Sequence, residues 1–181
     1  THLSYMSDII STVKEQAAQF NVDSQGSFTL EMLIKRVKIL MKHELIKHGC
    51  TLTQEIQADP NVQIRGDINS LVQILDNIII NAIQAYEGQE GEIRLVVSAN
   101  THGTLIAIRD FGKGVSPKVK NRLFREMITT KGKNGTGLGL YMSYSTIKGM
   151  FRGNMWFDTK EGAGTVFYIQ LPPYTEGKEP M

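Results

Sequence analysis

The stretch NSLVQILDNIIINAIQAY, residues 69–86, decides how this chain is read. Wound at about 100° per residue, Leu71, Ile74, Leu75, Ile78, Ala82 and Ala85 gather on one face of a helix, and Gln73, Asn77, Asn81 and Gln84 form a stripe opposite them. Asp67 stands where an N-cap belongs, so the helix is expected to run from there to about Tyr86. A solvated helix face ordinarily carries lysine and glutamate, which favour the helix more than asparagine does. Two asparagines one turn apart offer amide oxygens to a hard cation that keeps most of its water and takes further ligands from phosphate. The competing reading is a polar face packed on a neighbouring helix, and the stripe by itself leaves both open.

Working outward, residues 30–48 form a second amphipathic helix that Gly49 stops. TLTQEI (51–56) and NVQIRG (61–66) are short strands around Asp59 and Pro60. EIRLVVSAN (92–100) and GTLIAIRD (103–110), rich in β-branched residues and separated by a polar turn, form a hairpin. After residues 117–124 comes a stretch of weak periodicity. A helix then runs to about Phe151, and NMWFDT (154–159) and GTVFYIQL (164–171) close the pattern as strands. At the other end, Leu3, Met6, Ile9, Ile10, Val13, Ala17 and Phe20 have helical spacing, and NVDSQGS (21–27) breaks it with turn formers. This is read as a helix from a neighbouring domain and a linker.

The composition bounds the function. With 181 residues and 41% hydrophobic content, one domain plus an appendage is expected. The single Cys50 excludes an internal disulfide and suggests a reducing, cytoplasmic setting. There is no apolar run of about 18 residues and no signal-peptide pattern, so no membrane contact is expected of this stretch. Because Thr1 falls inside a helical pattern, the chain is expected to continue a longer protein, one with room for membrane segments or a sensor. A net charge of +2, with scattered lysines and arginines, gives no argument for nucleic acid.

Two further motifs carry chemistry. In IAIRDFGKGV (106–115) a strand delivers Asp110 into a turn with Gly112 and Gly114. A carboxylate accepts hydrogen bonds and donates none, which suits an exocyclic amine such as that of adenine, and glycines let backbone and a flat ring approach. D-x-G-x-G is also ordinary turn chemistry. DFG occurs in serine/threonine protein kinases, but their H-R-D and V-A-I-K segments are missing from this sequence. GKNGTGLGL (132–140) fits neither a Walker loop, which needs lysine after its glycines, nor a Rossmann turn, which needs G-x-G-x-x-G straight after a strand. What remains is a lid over about residues 125–136, hinged by Gly132 and Gly135, whose glycine end opens a helix towards phosphate. EGAGTVFYIQLP (161–172), alone, is a hairpin turn.

In this order the motifs resemble a known family, the ATP-binding catalytic domain of sensor histidine kinases, within the gyrase, heat-shock chaperone, histidine kinase and mismatch-repair ATPase superfamily. The asparagine box matches as Asn77-I-I-I-Asn81-Ala82, the first glycine box as Asp110-F-Gly112-K-Gly114, and the phenylalanine box and lid as LFREMITTKG (123–132). The second glycine box matches as Gly135-Thr136-Gly137-Leu138-Gly139-Leu140 and the last as Gly162-A-Gly164-Thr165. NAIQAY and TTKGKNGTGLGL look most like the nitrogen-regulation and sporulation kinases. The resemblance implies a two-layer α/β sandwich, the Bergerat fold, with a mixed sheet faced by helices over residues 28–175, a helix of a dimerisation domain over 1–20, a linker over 21–27 and a tail over 176–181.

It further implies that ATP and Mg²⁺ bind between the asparagine helix and the lid. Asn81 with Asn77 would ligate magnesium, Asp110 would bind the adenine amine with support from Thr165, and Lys131 and the backbone of Gly137 to Gly139 would steady the phosphates. Gln84, Gly112, Gly114, Gly135, Thr136 and Leu138 complete the implied contacts, and Asn77 and Lys131 carry the implied catalytic roles. The implied reaction is transfer of the γ-phosphoryl group to a histidine on the dimer, with relay to an aspartate of a response-regulator receiver domain. Such transfer is mainly positioning and charge neutralisation. ATPase members carry a water-activating glutamate at the position of Asn77, and an amide cannot act as that base.

Departures are visible. Met127 replaces the second aromatic of the phenylalanine box, and Ala85 followed by Tyr86 leaves no assigned adenine-stacking residue. His43-Glu44-Leu45 imitates a phosphoacceptor motif, but His48 holds the later position and the site falls inside the first domain helix, so His43 is read as structural. His2 has no acidic neighbour, and the phosphoacceptor is expected outside this chain. The alternatives are a serine-directed kinase of the anti-sigma-factor type and a nucleotide-sensing module without transfer.

Overall fold

The computed structural model describes residues 26–128 and 137–176. Ser27–Thr29 (β1) pairs antiparallel with Gln63–Arg65 (β3) in a small sheet. The main sheet contains Cys50–Gln57 (β2), Gly91–Asn100 (β4), Gly103–Asp110 (β5), Asn154–Lys160 (β6) and Gly164–Leu171 (β7), in the spatial order β2-β4-β5-β7-β6. Only β2 and β4 run parallel, so the sheet is mixed. A parallel pair needs a crossover, and the chain uses β3 and the helix Ile68–Gln84 (α2) for it.

Helices Leu30–Lys47 (α1), α2 and Gly137–Gly149 (α4) pack on β2, on β4 and β5, and on β6, with Pro117–Ile128 (α3) against α4. The result is a two-layer α/β sandwich, as the sequence led one to expect. Both long helices start at side-chain caps: Thr29 Oγ1 accepts from Met32 N (3.2 Å) and Asp67 Oδ2 from Ser70 N (2.9 Å).

Several elements differ from the sequence reading. The small sheet begins at Ser27, inside the stretch read as linker, and pairs β1 with β3. α3 is a helix where periodicity was weak: Lys118, Lys120, Arg122 and Arg125 dilute an apolar signal carried mainly by Leu123 and Met127. Met127 is 1% exposed and fills the core in place of an aromatic ring. Residues 125–128 of the expected lid are the last turn of α3, while its remainder, 129–136, the expected helix over residues 3–20 and residues 177–181 lie outside the described residues.

α2 buries more than the predicted face. Leu71, Leu75 and Ile78 are sealed, and so are Val72, Ile79 and Ile83 on its flank, because the helix packs against α1 as well as the sheet. Ala85, expected with the buried set, is the half-buried C-cap. Leu75→Ala, at a fully enclosed site, is expected to cost about 3 kcal/mol, read as a lower urea midpoint with unchanged slope.

Candidate functional site

β5 ends at Asp110, whose side chain is buried at 5% exposure. Its Oδ1 accepts a hydrogen bond from Gly112 N (2.9 Å), and the Thr165 N–H donates to the same carboxylate. Burial raises the Asp110 carboxyl above its usual range, and these two N–H groups pull it back down. Asp110 and Thr165, which the family resemblance paired, thus meet. The Thr165 hydroxyl itself lies 2.8 Å from Thr159 Oγ1, which also accepts from Val115 N (3.1 Å).

The loop after Asp110 is clamped from two sides. Lys113 N donates to Ala85 O (3.1 Å) at the C-terminus of α2, and Gly162 N in the β6–β7 turn donates to Lys113 O (2.7 Å). A Cβ on Gly112 would stand 2.6 Å from Ala85 O, and one on Gly114, at φ +61°, would stand 2.1 Å from Lys160 O. Both glycines are therefore needed for the close approach of backbone to backbone.

Tyr86, left without a role by the sequence, ties three elements together. Its hydroxyl donates to Glu92 O on β4 and accepts from Phe111 N (2.8 Å). A tyrosine closing an amide-striped helix was the available signal, though its spacing fits no aromatic box. Next to it the Arg94 and Arg109 guanidinium groups lie 5.2 and 4.7 Å from the centroid of the Phe111 ring.

On α2, Gln73, Asn77 and Asn81 are half-buried and Gln84 is exposed, so the amide stripe lies at the domain surface. It belongs to the helix whose C-terminus holds the Asp110 loop. Among the described residues no three His, Cys, Asp or Glu side chains converge to hold a metal, so a cation here would take ligands from amide oxygen, water and phosphate. Gly137 opens α4 and Gly139 lies exposed in its first turn, while Lys131, Gly135 and Thr136 fall outside the described residues. The Leu138 side chain is likewise not described. A groove of about 540 Å³ lies elsewhere, between α1 and β2, lined by Ile34, Lys38, Gln54 and Ile56 among others.

Beside Asn77, Asp76 is half-buried with an Oδ1 that has no hydrogen-bond partner, and burial pushes its pKa up to about 6.

A mixed five-stranded sheet backed by helices, with a buried carboxylate at the end of one strand beside an amide-striped helix, defines a Bergerat-type ATP-binding fold. The chain belongs to the family of histidine kinase-, DNA gyrase B- and HSP90-like ATPases, whose profile matches residues 66–175. It is 31% identical to sporulation kinase A of Bacillus subtilis over 79% of this chain and 23% of that protein. It is 36% identical to the sensor histidine kinase ZraS of Escherichia coli over 70% of this chain and 25% of that protein. The chain thus spans about a quarter of the length of these relatives. The catalytic domain of histidine kinase ThkA superposes with a TM-score of 0.69 at 26% identity, covering 82% of this chain and 97% of that one. A structure of ThkA with the response regulator protein TrrA shares the fold (TM-score 0.71, 22% identity, 97% of this chain and 50% of that one).

Tyr86→Phe removes both hydroxyl bonds and is expected to cost about 1–3 kcal/mol and to raise amide exchange across residues 110–114 more than in the core of β4. A second expectation concerns Asp76. The unfolded chain ionises it near 3.8, so between about pH 4 and 6 the folded protein holds a proton that the unfolded chain has lost, and stability falls as pH rises through that window. Asp76→Asn should flatten this fall and raise the melting temperature at pH 7.

Proposed function

We propose that this domain binds Mg-ATP between α2 and the segment after α3, and donates the γ-phosphoryl group to a histidine on a dimerisation segment outside the chain. The phosphoryl group then passes to an aspartate of a response-regulator receiver domain. The observation that carries the reading is the buried Asp110 carboxylate, whose loop is hydrogen-bonded to the C-terminus of the asparagine helix.

Asp110 accepts from the adenine amine, and Thr165 holds the carboxylate through its backbone N–H. Asn77 and Asn81 supply oxygens to magnesium and Gln84 borders them; magnesium, when bound, neutralises phosphate charge. Lys131, with the backbone of Gly135 to Gly139, holds the phosphates. Gly112 and Gly114 shape the adenine end by fixing the loop. Asn77, an amide, cannot take a proton from water, which favours transfer over hydrolysis. Residues 1–20 are assigned to a dimerisation helix, 21–27 to a linker, 28–175 to the catalytic domain and 176–181 to a tail. Among the described residues no helix is long and apolar enough to cross a membrane. We place the domain on the cytoplasmic side. The names of the relatives and the ThkA–TrrA complex support the class of partner.

The test is calorimetric titration of the 181-residue chain with ATP, with and without magnesium. Asn81→Ala is expected to abolish the gain that magnesium gives, and Asp110→Asn to weaken ATP by about 1–3 kcal/mol and to narrow its preference over GTP. Unchanged binding in both variants contradicts the assignment. In the full-length protein an acid-labile phosphoryl product supports histidine, and an acid-stable one points to the serine-directed alternative.

A further inference from the structure

α1 is apolar on two opposite sides. Leu30, Leu33, Val37 and Met41 face the core, yet Met32, Ile39 and Ile46 are 46%, 64% and 69% exposed. At about 100° per residue these three fall within about 40° of one another, diametrically opposite the buried set. Seven residues separate each from the next, so the ridge carries a large aliphatic side chain about every 10 Å along the axis. Three exposed aliphatic side chains in one row, on a helix whose core face is already satisfied, do nothing for the fold.

The ridge is bordered by cations. Lys35 and Lys42 lie on one flank, Arg36 and Lys47 on the other, where His43 also stands. Arg36 is anchored by a 2.7 Å bond from Nη1 to Asn69 Oδ1. Of the two carboxylates of α1, Glu44 lies towards the buried face, 3.5 Å from His48, and Glu31 stands in the first turn.

Width and charge choose the occupant. A face that lies in a lipid surface is broad, with an apolar arc of roughly 100° or more, whereas a single narrow row of apolar side chains one heptad apart suits contact along a partner helix. Leu40 is exposed too, but Arg36, His43 and Lys47 separate it in projection from the ridge. A second copy of α1 would set lysine against lysine, so the complement is acidic.

We propose that the outward ridge of α1 docks an amphipathic helix of a partner protein whose apolar seam repeats every seven residues and whose flanks are glutamate or aspartate. The surface is separate from the nucleotide-binding residues and does not depend on them.

The probe is a synthetic helix of about three heptads with leucine on its seam and glutamate on both flanks, beside a twin with lysine flanks. The glutamate peptide is expected to bind the 181-residue protein at least about tenfold tighter than its twin, and less tightly as salt is added. Ile39→Ser should weaken that binding about tenfold or more while leaving the melting temperature and the ATP titration unchanged. Failure of the glutamate peptide to bind, equal binding of the twins, or indifference to Ile39→Ser overturns the proposal. So does capture of phosphatidylglycerol vesicles in place of the peptide, or a dimer in sedimentation that Ile39→Ser dissolves.

Discussion

The site rests on a carboxylate held almost out of water by backbone. Burying Asp110 disfavours its ionised form, and two N–H groups, those of Gly112 and Thr165, compensate for lost hydration. Those donors come from the following loop and from β7, so the carboxylate is correctly solvated only when the sheet is assembled and the loop is seated. Seating the loop requires glycine at 112 and 114, because any side chain there would strike the carbonyl of Ala85 or Lys160. One buried charge thereby ties together the end of β5, the C-terminus of α2 and the β6–β7 turn.

α2 is the second half of the same arrangement. Its apolar side is locked against the sheet and α1, and its C-terminal carbonyl and Tyr86 hold the Asp110 loop. A helix fixed on that side has little freedom to rotate, so the amide stripe of Asn77 and Asn81 keeps a set orientation beside Asp110. Preorganisation of this kind is what the proposed phosphoryl transfer would ask of a protein that contributes no nucleophile of its own.

Much of this was legible in the sequence, for identifiable reasons. α2 declared itself because a 3.6-residue apolar period and an N-cap agree, and the β4–β5 and β6–β7 hairpins because β-branched runs flank short turns. β1 was hidden because three residues carry no periodicity, and α3 because Lys118, Lys120, Arg122 and Arg125 interrupt its apolar pattern. Of the residues that the boxes singled out, Asp110 and Thr165 do meet. The sequence could not show that the glycines of the first box serve backbone packing, since that depends on which chain segment lies opposite them. Nor could it single out Tyr86, whose partners Glu92 and Phe111 lie on other strands, or the second apolar row of α1, which a one-face helix reading passes over.

The central claim is that the Asp110 loop and the asparagine helix form a single nucleotide site. Amide chemical-shift mapping of the 181-residue chain with magnesium and a non-hydrolysable ATP analogue tests it most directly. The account predicts that the largest changes fall together on Asn77, Asn81, residues 110–114 and Thr165. Changes confined to the groove between α1 and β2, around Ile34, Lys38, Gln54 and Ile56, would contradict it.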